Sequence, residues 1–219
     1  MPVLSQLATL NEAIDALWNF LAKGGLFMIP LGLCALVGTT AIAFKFLSLA
    51  RGRVIPAGLA KRMEQFAQLD ERARAELIST IERSPSALGR LAQVALRHRG
   101  KPQRDIILAL EASSHEEASR LHAGIGVLDI VITVAPLLGL LGTASGLAVI
   151  FQSLNESADY IAIARGIAIA LNTTILGLFI AVPCVIAHGY FMRRIEVYTA
   201  RLESLLADFA HACQGNEGE

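Results

Sequence analysis

The residues best suited to chemistry in this chain are hydroxyl groups set inside two long apolar stretches. One stretch runs from 130 to 154 and carries Thr143, and the other runs from 166 to 192 and carries Thr173 and Thr174. Neither stretch contains Asp, Glu, Lys or Arg, and each is long enough to cross a bilayer core. A hydroxyl in hydrocarbon has no water to bond, so it must face protein, backbone or a wet cavity. Matched hydroxyls in two spans favour a conduction path over a simple anchor.

The spacing of these hydroxyls places them at similar depth. From Thr143 to Leu154 is about 11 residues, or roughly 17 Å of helix, and from Ile161 to Thr174 is about 13 residues, or roughly 20 Å. Two antiparallel helices joined after Leu154 would therefore bring Thr143 and Thr174 level with each other. The alternative is that each threonine only bonds a carbonyl one turn back and helps the helices pack.

Small residues and two prolines recur along the same stretches. Small residues at four-residue spacing let helix backbones approach closely in lipid, so these positions predict a tight helix pair with possible hinges. The predicted packing and hinge positions are Pro136, Gly139, Gly142, Gly146, Gly166, Gly177 and Pro183.

Three ionisable residues border the apolar stretches. Arg165 precedes the second stretch and is expected to extend outward to the membrane interface, with a gate or a lipid contact as the alternative. Asp129 precedes the first stretch, where an interfacial or helix-contact role competes with that of a proton relay. His188 near the end of the second stretch is expected to be hydrogen-bonded in packing, because it has no second ligand at metal spacing.

The composition excludes several functional classes. The chain has 219 residues, 54% of them hydrophobic, with a mean hydropathy of +0.53, and its 19 basic and 19 acidic side chains cancel. The net charge therefore gives no indication of a nucleic-acid partner. There is no nucleophile–base set, glycine-rich phosphate loop or metal-ligand cluster, so neither an enzyme nor a cofactor is expected. Cys34, Cys184 and Cys213 form no spaced motif and are read as small packing residues.

The elements that must position the hydroxyls are all helical. We predict an all-α membrane protein with three spans, its N-terminus outside and long helices extending into the cytoplasm, because the basic residues concentrate in 51–125 and at Arg193 and Arg194. A helix beginning near Gln103 is expected to run unbroken into the second span. The predicted segments are a periplasmic amphipathic helix (1–23), a first span (24–49), a cytoplasmic helical domain (50–125), a second span (126–154), a periplasmic loop (155–160), a third span (161–192) and a cytoplasmic C-terminal helix and tail (193–219).

Two motifs carry a resemblance to a known family. The run VAPLLGLLGT from Val134 to Thr143, followed by Gly146, lies in the second span, and GIAIALNTTILGLFIAVP from Gly166 to Pro183 lies in the third. In sequence and order they resemble the two signatures of the ExbB/TolQ/MotA proton-channel family. The number of spans and the large segment between the first two are similar to the ExbB/TolQ branch.

That resemblance implies a function and partners. Family members are proton-channel and motor subunits of the bacterial inner membrane, which form a homo-pentamer around a dimer of single-span partners of the ExbD/TolR type. The partner's membrane Asp is the protonatable carboxylate, and the motion passes to a TonB- or TolA-type protein. On this view Thr143 and Thr174 line the pore beside that Asp. A non-conducting membrane scaffold, or a motor driving export or gliding, remains the alternative.

One residue departs from the family pattern. The best-known ExbB and TolQ proteins carry a Glu in a GIAEAL context, where this chain has Ile169. Ile169 cannot bind a proton, so the resemblance implies a pathway that relies on the partner's Asp and on the hydroxyls of Thr143, Thr173 and Thr174. Asn172 is a candidate for one more polar group in the pathway, with an interhelical hydrogen bond as its alternative.

Overall fold

The computed structural model describes residues 26–153 and 160–214. Every regular element in those residues is a helix, and three segments are long and apolar enough to cross a membrane, within Met28–Ser48, Arg104–Gln152 and Ile163–His211. The predicted all-α fold with three membrane helices is therefore confirmed. The amphipathic helix predicted over 1–23, the loop up to residue 159 and the tail from residue 215 lie outside the described residues. The helices are α1 (Met28–Ser48), α2 (Arg51–Val54), α3 (Ala57–Glu64), α4 (Glu71–Arg83), α5 (Ala87–Arg97), α6 (Gln103–His122), α7 (Ile125–Ser153) and α8 (Tyr160–Gln214), with a short 3-10 helix at Phe66–Gln68.

The chain divides into two compact units. Of the described residues, a spanning unit comprises 26–42, 127–153 and 160–188, and a helical unit comprises 43–126 and 189–214. The threonines and all five glycines singled out above belong to the spanning unit.

Within the spanning unit, α7 and α8 are antiparallel and contact each other closely at glycine residues. A Cβ placed on Gly139 would lie 2.8 Å from the Thr173 carbonyl oxygen, and one placed on Gly177 would lie 2.5 Å from the carbonyl oxygen of Ala135. Real Cβ atoms do not approach other atoms so closely, so only glycine permits this contact. Small residues thus set the separation of the two helices, as expected for helices that associate in lipid.

The outer faces of the spanning helices are apolar and exposed. Leu140 is 61% exposed, Phe179 is 74% exposed and Ile186 is 68% exposed. In a water-soluble domain such side chains would be buried. Their exposure on apolar helices of this length suits a surface that faces lipid or other membrane chains.

Polar caps and an apolar core organise the helical unit. The Asp70 side chain accepts a hydrogen bond from the backbone N–H of Ala73 and begins α4, and the Ser86 hydroxyl accepts one from Gly89 and begins α5. Such caps satisfy backbone donors that have no partner in the first helical turn. The apolar faces of α4 and α5 include the fully buried side chains of Leu77, Ile81, Leu88 and Leu91.

An ion pair ties α5 to α6 within that unit. Arg90 Nε lies 2.7 Å from Glu117 Oε1, and Arg90 Nη2 lies 2.6 Å from Glu117 Oε2. The Glu117 side chain is only 7% exposed, and Arg120 supplies a second guanidinium at 3.2 Å. The hydrogen bond to Glu117 raises the pKa of the Arg90 guanidinium above its ordinary value. Arginine is charged at any physiological pH in either case, so the consequence of the contact is structural.

Helix α6 ends before α7 begins, and the predicted unbroken helix is wrong. Helix α6 stops at His122, and Gly124 adopts a φ of +85°. Glycine reaches that left-handed region at no steric cost, which allows the chain to leave one helix and start the next. The pattern of apolar residues shows no interruption there, so periodicity alone could not locate the break.

A buried lysine binds the carbonyl groups at this break. Lys45 Nζ donates to the carbonyl oxygen of Leu121 at 2.6 Å and to that of Ala123 at 2.7 Å, and Lys45 is 1% exposed. The C-terminal carbonyls of a helix lack partners further along the chain and carry partial negative charge. An ammonium group is therefore well matched to this position, since it both donates hydrogen bonds and opposes that charge.

Candidate functional site

Thr143, Thr173 and Thr174 meet where α7 and α8 are closest, and together they form the hydroxyl cluster. The hydroxyls of Thr143 and Thr174 hydrogen-bond to each other across the two helices. Thr174 Oγ1 lies 3.0 Å from the Gly139 carbonyl oxygen of the opposite helix. The two threonines expected to lie level with each other are thus in direct contact.

The cluster offers more acceptors than it has protons to donate. Thr143 Oγ1 can donate to the carbonyl oxygens of Gly139 at 3.2 Å or Ala170 at 3.0 Å, or to Thr174. Thr173 Oγ1 lies 2.7 Å from the Ala170 carbonyl oxygen and 3.2 Å from that of Gly139. Each hydroxyl carries one proton and accepts through two lone pairs. The same oxygen positions therefore accommodate several arrangements of the three protons.

Close helix contact is what brings the hydroxyls within reach. A Cβ on Gly142 would lie 2.7 Å from Thr173 Oγ1, and one on Gly146 would lie 2.9 Å from the Ala170 Cβ. The line of contact between α7 and α8, from Gly177 to Gly166, is called the seam. Further along it, a Cβ on Gly166 would meet the side chain of Ile150 at 2.6 Å. Larger residues at these glycines would push α7 and α8 apart and lengthen every hydrogen bond between them.

The cluster is closed on one side and open on the other. Thr173 is 2% exposed, whereas Thr143 and Thr174 are half-buried. Thr143 and Thr174 therefore lie nearer the surface of the helix pair than Thr173 does.

No acid of this chain lies beside the hydroxyls in the two spans. No Asp or Glu occurs from 130 to 153 or from 160 to 192. Ile169 lies on the turn before Thr173 and is half-buried. The cluster can donate, accept and relay hydrogen bonds, but within the described residues of these two spans no carboxylate is available to take up a proton beside it.

Asn172 does not join the hydroxyl cluster. At about 100° per residue, it points roughly 160° away from Thr174 around α8. Its side chain is half-buried and has no hydrogen-bond partner among the described residues. Helix rotation therefore separates Asn172 from the face that carries the hydroxyls.

The predicted prolines and Arg165 lie on the same two helices. Pro136 lies inside α7 and Pro183 inside α8, where each removes one backbone donor from its helix. Arg165, on the second turn of α8, is exposed.

Two ionisable residues that the sequence analysis treated separately are in contact. His188 Nε2 lies 3.0 Å from Asp129 Oδ1, at the end of the helix pair where α7 begins. The sequence pattern alone did not predict this pair. Its one indication was that two antiparallel helices place residues at equal distances from the connecting turn opposite each other. Among the described residues, no three His, Cys, Asp or Glu side chains converge on a metal site.

The region that contains the cluster matches a known family. Residues 83–204, more than half of the chain, match the model described as the MotA/TolQ/ExbB proton channel family. An ExbB homolog of Methanothermobacter thermautotrophicus, described as a biopolymer transport protein, is 33% identical over 58% of this chain and 46% of its own length. An ExbB-like biopolymer transport protein of Synechocystis is 33% identical over 73% of this chain and 64% of its own length.

A third relative comes from the other named group. The Tol-Pal system protein TolQ of Pseudomonas aeruginosa is 34% identical over 46% of this chain and 45% of its own length. The chain thus spans less than two thirds of the length of each of these three relatives. The ExbB and TolQ names confirm the branch that the two motifs predicted.

Proposed function

Since the chain belongs to the MotA/TolQ/ExbB proton channel family, we propose that it is a proton-conducting subunit of a complex that couples the proton-motive force to work in the cell envelope. The proposed complex is of the TonB or Tol type and energises transport across the outer membrane. The chain is a multi-pass membrane protein, and we place it in the inner (cytoplasmic) membrane of a bacterium. Its N-terminus would face the periplasm and its helical unit the cytoplasm.

The hydroxyl cluster is the observation that supports this proposal most directly. Thr143 and Thr174 are only half-buried, and in the proposed complex a group from another chain would meet them from their exposed side. Their hydroxyls can donate to a carboxylate or accept from a carboxylic acid, without the desolvation cost of a second buried charge. The hydroxyls could therefore form a hydrogen bond with an acid on another chain both when that acid is protonated and when it is ionised.

The absence of acids from the two spans defines the proposed partner. We infer a dimer of single-span subunits of the ExbD/TolR type, each with an Asp at the depth of the cluster. Five copies of this chain would surround that dimer, and a TonB- or TolA-like protein would receive the motion. The exposed apolar faces around Leu140 and Phe179 are suited to contact with lipid and with neighbouring copies.

The proposal is tested by removing the two hydroxyls while keeping their shape. The double substitution Thr143→Val and Thr174→Val leaves the acid of the partner without a hydrogen-bond partner. We expect proton flux into vesicles that contain the assembled complex to fall about tenfold, which corresponds to about 1.4 kcal/mol in the barrier. Thr143→Ser with Thr174→Ser, which retains both hydroxyls, should keep most of the flux.

The control separates conduction from packing. Thr39→Val removes a hydroxyl at an exposed residue whose one hydrogen bond among the described residues is to the Ala35 carbonyl of its own helix, and should leave flux unchanged. Copurification of the partner with each variant reports assembly. Normal flux from an assembled valine variant would refute the conducting role.

A non-conducting scaffold is the second candidate. Ile169 supports it because the chain has no acid of its own at that position. So do the bonds of the cluster to Gly139 and Ala170, which also serve helix packing. A scaffold predicts that the valine variant assembles and supports work dependent on the proton-motive force as the unmodified chain does.

A further inference from the structure

A second group of proton-binding side chains lies on the seam that carries the hydroxyl cluster. Asp129 precedes Thr143 by about 14 residues on α7, and His188 follows Thr174 by about 14 residues on α8. Both separations amount to about four helical turns, or about 21 Å, so each residue returns to the face of its helix that carries the hydroxyl. The 3.0 Å contact between His188 Nε2 and Asp129 Oδ1 closes the seam at that end.

The pair is more exposed than Thr173 at the centre of the seam, which is 2% exposed. The Asp129 side chain is 58% exposed and that of His188 is 28% exposed. Between the pair and the hydroxyl cluster, the only side chain of the two helices that can titrate is the thiol of Cys184. The pair is therefore separated from the hydroxyl cluster and is not joined to it by a continuous chain of titratable side chains.

Few other charges face the pair. The part of α1 in the spanning unit, residues 28–42, carries no Asp, Glu, Lys, Arg or His. On α7 the nearest polar side chain is that of Thr133, whose hydroxyl donates to the Asp129 backbone carbonyl. On α8 the next charged side chains are Arg193 and Arg194, more than one turn beyond His188.

The contact fixes how the imidazole can act. A carboxylate accepts hydrogen bonds, so the neutral imidazole donates from Nε2 to Asp129 and keeps a lone pair on Nδ1. A proton arriving through water forms a bond to Nδ1 and converts the imidazole to an imidazolium beside the Asp129 side chain. The same proton then leaves Nδ1 for water, and the pair returns to its starting state.

We propose that Asp129 and His188 form a proton-exchange site at this mouth of the pathway, where protons pass between the pore and the solvent. This inference rests on the proposed function, because it needs a proton flux to serve. The three hydroxyls of the cluster always carry the same number of protons, so the cluster cannot take up or release one. In this inference, Asp129 and His188 perform that uptake and release. The competing role for the pair is a simple clasp between α7 and α8.

Three substitutions distinguish a proton-exchange site from a simple clasp. In His188→Gln the new amide can donate to Asp129 and preserve the link between the helices, but it cannot bind a proton. Asp129→Glu keeps the carboxylate, whereas Asp129→Asn keeps only the hydrogen bond. A clasp predicts that all three variants conduct normally.

The experiment measures proton flux into vesicles that contain the complete complex. Flux is recorded as the pH on the side bearing the pair varies from 5 to 8, the range in which imidazole side chains exchange protons. We expect His188→Gln and Asp129→Asn to lower flux about tenfold and to flatten its pH dependence, while Asp129→Glu retains both. The loss is smaller than the 10²–10⁴-fold typical of positioned acid–base groups, because water also takes the proton. His122→Gln is the control and should change neither quantity, because it removes an exposed histidine whose one hydrogen bond within the described ranges is to the Ala118 carbonyl.

The outcomes separate this inference from the proposed function. If the unmodified complex conducts and both amide variants keep its flux and pH profile, the exchange site is refuted and the channel stands. If the unmodified complex shows no flux that depends on the proton-motive force, the proposed function fails and the exchange site fails with it.

Discussion

Replacing Lys45 with methionine should destabilise the helical unit through one specific pair of bonds. Methionine keeps most of the length and packing of the lysine stem but removes the ammonium group that binds the carbonyls of Leu121 and Ala123. Leu121 is 8% exposed, so its carbonyl is left buried without this donor, whereas Ala123 is exposed and its carbonyl can bond water instead.

The magnitude follows from this difference between the two carbonyls. A buried acceptor left unsatisfied costs about 1–3 kcal/mol, and the rehydrated acceptor adds little. For a chain of this size about 1 kcal/mol corresponds to roughly 2–4 °C in Tm. We therefore expect Lys45→Met to lower the Tm of the purified protein in detergent by about 2–12 °C.

Two measurements test the cause as well as the size of the effect. Circular dichroism during heating gives the Tm, and hydrogen exchange should become faster at the backbone amides around the break at Gly124. Lys61→Met, at an exposed position of α3, is the matched control and should shift the Tm by less than about 1 °C. A Lys45→Met protein with the Tm and exchange of the unmodified chain would show that the ammonium contributes nothing to stability there.

Two further substitutions test the contacts that hold each unit together. Gly177→Ala places a Cβ 2.5 Å from the Ala135 carbonyl oxygen and should cost about 1–3 kcal/mol of stability, measured as a lower Tm. Gly189 has open space around it, so the control Gly189→Ala should be neutral or slightly stabilising. Equal shifts in Tm for the two variants would mean that α7 and α8 separate without cost. Arg90→Met leaves the Glu117 carboxylate with Arg120 as its remaining partner and should cost about 2 kcal/mol of stability, again measured as a lower Tm. The cost is below the 3–5 kcal/mol of a fully buried pair because the Arg90 side chain is 40% exposed. An unchanged Tm would mean that water hydrates the Glu117 carboxylate as well as Arg90 does.

The sequence predicted those features that depend on local periodicity and helical rise. The depth of Thr143 and Thr174 could be counted from the turn between their helices, and the hydroxyls do meet. The glycine spacing predicted a close helix pair, and the contacts at Gly139 and Gly177 have that form. Both inferences needed only the geometry of a regular helix.

Features that depend on contacts between distant segments could not be predicted. Lys45 had the position of a charge at the end of a span, and only the fold shows that it binds carbonyls some 76 residues away. The break at Gly124 was missed because a single glycine within an apolar pattern is compatible with a continuous helix. The contact between Asp129 and His188 also required the register of α7 against α8, which spacing gives only approximately.

The glycine contacts between α7 and α8 have a mechanical consequence. Sliding one helix past the other by a single residue would turn it by about 100° and bring Leu140 or Leu178 toward backbone that now touches Gly139 and Gly177. Such a step would lose the hydroxyl bonds and force the helices apart at once. The two helices are therefore expected to move together as one rigid pair, so that, under the proposed function, any movement coupled to proton passage would displace both helices against their surroundings.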